Sequence, residues 1–286
     1  MSEFALLSGN AEQAGVTGPL PAVERVTAGD ISALRWGTAP PRVVFLHGGA
    51  QNAHTWDTVA LGLGVPALAV DLPGHGRSAW RDDGDYSPQR NAAALEPVLR
   101  ELAPAAELMV GMSLGGLTAI RLAATTPELV RRLAIVDVTP SALQRHSQMS
   151  AADRGTVALA QGDRTFPDFD AMLAATQLAA PHRDPESLRR GLIHNTRQLP
   201  DGRWTWRYDT IRSVGDFTEL WTDVDAITAP TTLIRGGDSG FVTDDDIAEY
   251  TRRCPGLTVH VVAGSGHSVQ GDQPRALAEL LHAALP

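Results

Sequence analysis

The chain has 286 residues, 43% of them hydrophobic, and a formal net charge of −9, which suits one large core with an insertion and therefore a single folding unit. No basic run is longer than an arginine pair, so there is no electrostatic footprint for nucleic acid or anionic lipid. All 24 basic residues are arginine, which excludes a lysine nucleophile or Schiff base, and the single cysteine, Cys254, excludes an internal disulfide.

The first twenty residues hold Glu3 and Glu12, no basic stretch and only the short apolar run 4–7. Neither a signal peptide nor a membrane span is expected there. Residues 1–22 read as a loose N-terminal arm, and the composition fits a reducing cytoplasm. An antiparallel pair at 23–26 and 31–36 opens the fold, followed by strands at 42–46, 67–70, 108–110 and 133–136, with helical stretches between the later ones. Wholly apolar strands alternating with helices predict a mostly parallel sheet covered on both faces, an α/β fold.

Glycine-rich loops follow several of these strands. Leu46-His-Gly-Gly-Ala50 comes directly after the 42–46 strand, and its Gly49 amide is one candidate donor to a developing oxyanion. His47 is expected to fix this loop by hydrogen bonding, and His75 to be a structural member of the turn Asp71-Leu-Pro-Gly-His-Gly76. Gly111-Met-Ser-Leu-Gly115 joins a strand to a helix over 114–126 that Pro127 ends. A serine in so tight a turn needs glycine on either side, because a Cβ there would meet a neighbouring strand or helix. Ser113 is thus the candidate nucleophile, and the Leu114 amide, at the positive end of the helix, is the second oxyanion donor.

After Asp137 the strand and helix rhythm stops until residue 230. The core is accordingly divided into 23–140 and 229–286, with a cap over 141–228 that must carry structure of its own. Its alanine, leucine and methionine content predicts helices, and the alternation in Arg203-Trp-Thr-Trp-Arg-Tyr208 predicts a short strand. Trp204, Trp206, Trp221, Phe166 and Phe169 form the cap's own core, or Trp204 and Trp206 line a substrate pocket. Gly191, Gly202 and Gly215 would permit hinges.

The rhythm resumes with a strand at 232–235, a helix at 244–253, a strand at 257–262 and a closing helix from 274. His267 lies in Gly264-Ser-Gly-His-Ser268, just past the last strand and so at the same sheet edge as Ser113, which makes it the candidate base. The base needs an acid to hold its tautomer, and two aspartates compete: Asp137, ending the strand after the nucleophile helix, and Asp238, after the 232–235 strand. Asp137 is favoured because Val138 and Pro140 stiffen its surroundings, whereas Asp238 lies among glycines. No two histidines have the His-x-x-x-His spacing, so no metal and no cofactor is assigned.

Taken together, the order Ser, Asp, His, the His-Gly-Gly loop, Asp-Leu-Pro-Gly-His-Gly and Gly-Met-Ser-Leu-Gly-Gly116 resemble the α/β-hydrolase superfamily from residue 23 to 285. That resemblance implies a mostly parallel central sheet flanked by helices with an inserted helical cap. Ile135-Val-Asp-Val-Thr-Pro140 with Arg235-Gly-Gly-Asp-Ser-Gly-Phe-Val242 resembles small bacterial serine esterases, a group that places the acid at the position of Asp137. The implied activity is hydrolysis of small or medium carboxylic esters through an acyl-enzyme. Carbon-carbon bond hydrolases and a menaquinone-pathway lyase share every motif quoted and remain the alternative. An aspartate would stand at Ser113 in dehalogenases and epoxide hydrolases. The partner is a small-molecule ester, with no nucleic acid and no membrane span.

Overall fold

The opening strands pair as the alternation requires: β1 (Val23–Ala28) and β2 (Ile31–Trp36) run antiparallel, with Val23 opposite Trp36 and Ala28 opposite Ile31. The computed structural model describes residues 2–146, 149–150, 159, 165–210 and 217–286. Next in chain order come β3 (Val43–Leu46), β4 (Ala67–Val70), β5 (Leu108–Met112), β6 (Leu133–Val136), β7 (Thr231–Gly236) and β8 (Thr258–Val262). They form an eight-stranded sheet in the order β1-β2-β4-β3-β5-β6-β7-β8, parallel from β4 to β8.

Every residue of β3, β4, β5 and β6 is buried, because helices cover both faces of the sheet. One face packs Leu46, Leu68, Leu95 and Ile120 among others, and the opposite face packs Phe45, Trp56, Val110 and Leu277. The rings of Phe45 and Trp56 stack at 4.9 Å. Helices α1 (Leu7–Ala14), α2 (Asp57–Leu63), α3 (Pro88–Leu102) and α4 (Leu114–Thr125) belong to these layers.

The N-terminal segment departs from the expectation of a loose arm over 1–22. Helix α1 buries Leu7 and Ala11 in the cluster that contains Trp36 and Trp56, and stops at Gly15, whose φ of +73° closes the helix. Its run 4–7 is too short to signal a helix by periodicity, and only Leu7 of that run joins Asn10 and Ala11 on the buried face.

The cap is mixed rather than helical. Helices Phe169–Ala179 and Pro185–Asn195 accompany strands Thr165–Phe166, Thr196–Gln198 and Trp204–Trp206, which pair as an antiparallel three-stranded sheet. A turn with Gly202 at φ +88° joins the last two strands. Helix Leu220–Ala226, expected within the cap, instead packs against α4, with Leu220, Trp221 and Val224 in the main core and Asp223 paired to Arg121 at 2.8 Å. Gly215 and its hinge role lie outside the described residues.

Candidate active site

Three catalytic candidates stand past the carboxyl ends of β5, β6 and β8, at one edge of the sheet. Ser113 follows β5 and Asp137 follows β6, and the Ser113 amide donates to the Val136 carbonyl at 3.2 Å, tying the two strand ends together. Asp137 is tied to β7 in turn, its amide donating to Ile234 O at 2.8 Å. His267 lies past β8 in a small-residue loop.

The elbow accounts for its glycines. A Cβ on Gly111 would penetrate the Gly115 carbonyl, and a Cβ on Gly115 would penetrate the Leu46 carbonyl at the end of β3. Only hydrogen at both positions lets the helix approach the sheet closely enough to turn so sharply. Ser113 then takes φ +51°, ψ −120°. Among the described residues, Ser113, Asp137 (φ +51°) and Ala50 (φ +62°) are the non-glycine residues with such a backbone, and all three sit here. Each conformation costs of order 1–3 kcal/mol and persists because its surroundings over-determine it.

The acid candidates are separated by geometry. Asp137 is fully buried, and its Oδ2 accepts from His267 Nδ1 at 2.8 Å. Its Oδ1 accepts from the Gly236 amide at 2.9 Å, and the Ser239 hydroxyl donates to Oδ2. Asp238 is exposed, and its amide donates to Ser265 O at 2.9 Å, so it shapes the loop beside the histidine without touching the ring. The imidazole is also stacked on Phe241 at 3.6 Å. Its Nε2 is buried without a hydrogen-bond partner among the described residues, leaving a basic nitrogen open for a proton.

Both candidate oxyanion amides belong to oriented peptides. His47 Nε2 accepts from Leu72 N at 2.9 Å, so the ring proton is on Nδ1 and donates to Gly48 O at 2.7 Å. That carbonyl shares a peptide with the Gly49 N–H, and in a trans peptide the two point opposite ways. Leu114 is held likewise: the Ser113 carbonyl accepts from Leu117 N at 3.0 Å, leaving the Leu114 N–H facing out of the helix start. Among the described residues neither amide has a partner. Burial and the nearby His75 hold His47 well below the usual histidine range, and burial lowers His75, so both stay neutral.

Supporting residues that sequence patterns miss surround this set. Gln51 bridges two loops, accepting from Gly48 N at 3.2 Å and donating to Ser268 Oγ at 3.5 Å. Asp272 accepts from Gly266 N at 2.9 Å and pairs with Arg183 of the cap. Ser239 in the quoted stretch 235–242 is the one member whose place, just past a strand beside Asp137, offered any signal. Trp204 and Trp206 both pack in the cap cluster, Trp204 against Phe169 at 5.2 Å and Trp206 against Tyr208 at 5.6 Å. Trp206 also borders the cleft that runs from Gly49 and Ala50 beneath the cap; Trp204 does not.

One further cluster has metal-ligating chemistry. His54, Asp57 and His194 bring ligand atoms within 4.8 Å of one another. His54 Nδ1 is taken by Asp57 at 2.9 Å and Nε2 by Glu3 at 3.1 Å, and the two imidazoles lie face to face at 3.6 Å. In-plane lone pairs on stacked rings run parallel and cannot converge on one ion, so the group reads as an ion network at the seam of cap and core.

The sequence profile of the alpha/beta hydrolase family matches residues 43–280. The chain is 68% identical to the esterase Rv0045c of Mycobacterium tuberculosis (strain ATCC 25618 / H37Rv), over all of this chain and 96% of that protein. A solved structure of the M. tuberculosis esterase Rv0045c superposes with a TM-score of 0.92, covering 99% of this chain and 98% of that one at 68% identity. Lipase LipV of the same bacterium is 28% identical over 90% of this chain and 98% of its own length.

Proposed function

The chain belongs to the alpha/beta hydrolase family, and on that premise we propose that it is a serine esterase that cleaves small to medium carboxylic esters through an acyl-enzyme. The observation that carries this reading is the 2.8 Å bond from His267 Nδ1 to buried Asp137, with the opposite ring nitrogen unpartnered among the described residues, at the edge where Ser113 stands on its strained elbow. Identity of 68% to an esterase along the whole chain supports ester bonds as the target.

His267 Nε2 takes the hydroxyl proton as Ser113 Oγ bonds to the ester carbonyl carbon, and Asp137 stabilises the imidazolium that forms. The carbonyl oxygen becomes an oxyanion between the Gly49 and Leu114 amides, each such donor being worth about 10²- to 10³-fold in rate. Collapse breaks the bond to the alcohol, which leaves with the proton from His267. Water, deprotonated by the same nitrogen, then attacks the acyl-serine and frees the acid and Ser113. The unpaired, buried Cys254 fits a cytoplasmic setting, and no described helix is long and apolar enough to cross a membrane.

Turnover of fluorogenic esters from acetyl to octanoyl, by the native protein and by Ser113→Ala, tests the reading. Hydrolysis with a chain-length optimum that vanishes in Ser113→Ala is expected. Turnover that survives loss of Ser113, or none at all in the folded native protein, would overturn it.

A further inference from the structure

The cap touches the oxyanion loop through Asn195, the last residue of helix Pro185–Asn195. Its Nδ2 donates to the Ala50 carbonyl at 2.8 Å, and its Oδ1 accepts from Asn52 Nδ2 at 3.0 Å. The Asn195 carbonyl accepts from Arg207 N at 2.8 Å, fastening the helix end to the residue just past cap strand Trp204–Trp206. A carbonyl can only accept, so Ala50 O fixes which end of the Asn195 amide faces the loop.

Ala50 is an unlikely place for a left-handed backbone. Its φ of +62° costs an L-residue about 1–2 kcal/mol, and its methyl group, which packs against the cap cluster of Met172, Leu192, Trp206 and Tyr208, makes no hydrogen bond that could fix the turn. The conformation is held from two sides. His75 Nε2 accepts from the Ala50 N–H at 3.1 Å, with the His75 proton on Nδ1 directed to Pro73 O at 2.9 Å. Asn195 holds the other side, and of the two hydrogen-bond partners it is the one that comes from the cap.

The bond to Asn195 leads back to the Gly49 amide through two peptide planes. The Ala50 carbonyl shares a peptide with the Gln51 N–H, which donates to Gly48 O at 3.3 Å. Gly48 O in turn shares a peptide with the Gly49 N–H. Asn195 Nδ2 therefore orients one peptide, whose other end orients the peptide carrying the oxyanion donor, and hydrogen bonds in such a chain polarise one another. Around Gly49 itself there is open space, with nothing within 4 Å of where a Cβ would stand, so hydrogen bonds hold this peptide: Gly48 O accepts from His47 Nδ1 at 2.7 Å on the core side and from the Gln51 N–H on the side that leads to the cap.

From this geometry we infer that Asn195 is a positioning residue for the oxyanion hole: the cap, seated on the core, sets the Gly49 amide jointly with His47. The inference rests on the serine esterase reading. Because the amide meets charge that develops only in the transition state, loss of Asn195 lowers kcat and leaves KM nearly unchanged. The cap is then a working part of the catalytic centre as well as its cover.

The test compares Asn195→Ala and the isosteric Asn195→Asp with the native protein on a short-chain fluorogenic ester, with folding checked by thermal denaturation. Binding of a trifluoromethyl ketone, which adds to Ser113 as a tetrahedral oxyanion, is measured alongside. Both variants should lose kcat by about 10- to 100-fold, since a misplaced donor forfeits part of the 10²- to 10³-fold that a deleted one costs. KM should stay within about threefold, and ketone affinity should fall in step with kcat. Aspartate offers no donor to Ala50 O, so it should be no better than alanine, and it keeps the test open if the alanine variant fails to fold. Retained kcat, or a loss confined to KM with ketone affinity intact, would overturn the inference while leaving the esterase standing. Turnover by Ser113→Ala would instead remove the reading on which it rests.

Discussion

At the scale of single residues, the site depends on which aspartate faces the imidazole. Asp137 binds His267 Nδ1 and is itself held by the Gly236 amide and the Ser239 hydroxyl; Asp238 is exposed. In Asp137→Asn an amide replaces the acceptor that keeps the proton on Nδ1, so kcat should fall by about 10³- to 10⁴-fold with little change in fold. Asp238→Asn should stay within about threefold of the native rate, since it removes no contact to the ring. Steady-state rates of the two variants on one ester decide it, and the reverse ranking would transfer the role to Asp238. Sequence alone could narrow the acid only this far because β6 and β7 are neighbours and both aspartates end strands at one sheet edge. The deciding facts are the left-handed turn at Asp137, which no local preference announces, and Ser239, whose partner is about a hundred positions away in the chain. Ser113 and His267 were legible as candidates because Gly111 and Gly115 state a steric demand two positions either side of the serine, and because a small-residue loop just past a strand holds the histidine.

At the scale of elements, the same contrast separates what was readable from what was not. The core strands are short, wholly apolar and regularly spaced by helices, so their number and order of appearance followed from the pattern. Helix α1 and two of the three cap strands did not: α1 is held through Leu7 and Ala11 in the cluster that also contains Trp36 and Trp56, and strands Thr165–Phe166 and Thr196–Gln198 are too short for alternation to show, whereas Trp204–Trp206 followed from the alternation in 203–208. The elbow shows how a local requirement becomes a property of packing. Gly115→Ala drives a methyl group into the Leu46 carbonyl, backbone that cannot yield without moving β3. We expect a loss of about 3 kcal/mol, from the cost of overpacking a close contact, and a Tm lower by about 6–10 °C. Gly49→Ala, with open space at its Cβ and no left-handed φ, should change stability by under about 0.5 kcal/mol. Thermal unfolding of the pair measures both, and equal Tm values would mean that the helix rides free of β3.

At the scale of the whole molecule, the N-terminal segment, the core and the cap meet in one ion network whose titration should shape stability. Glu3 pairs with Arg25 at 2.6 Å, Arg25 with Asp71 at 2.7 Å, and His54 lies between Glu3 and Asp57 with His194 of the cap stacked on its face. Burial alone would lower His54, but Asp57 and Glu3 outweigh it and carry the ring to about 9; burial and the adjacent His54 cation push His194 down to about 3. The two shifts act with opposite signs. Between pH 6.5 and 9 the folded protein holds a proton on His54 that the unfolded chain releases, so the stability from that proton, complete below 6.5, is lost as pH rises. Below 6.5 the unfolded chain takes up a proton that buried His194 refuses, and His47 and His75 refuse theirs as well, so stability falls as pH drops toward the carboxylate range near 4.5. A Tm maximum near pH 6.5 follows, with a decline on either side. His194→Phe keeps an aromatic ring against His54 but removes one of the three refused protons. The limb between pH 6.5 and about 4.5 should therefore become shallower, while the limb above 6.5, which belongs to His54, persists. Tm measured from pH 4.5 to 9.5 in both proteins reads this directly. An acid limb of unchanged slope in His194→Phe would show that the stacked cap histidine does not resist protonation, and would detach the cap from the charge balance of the core.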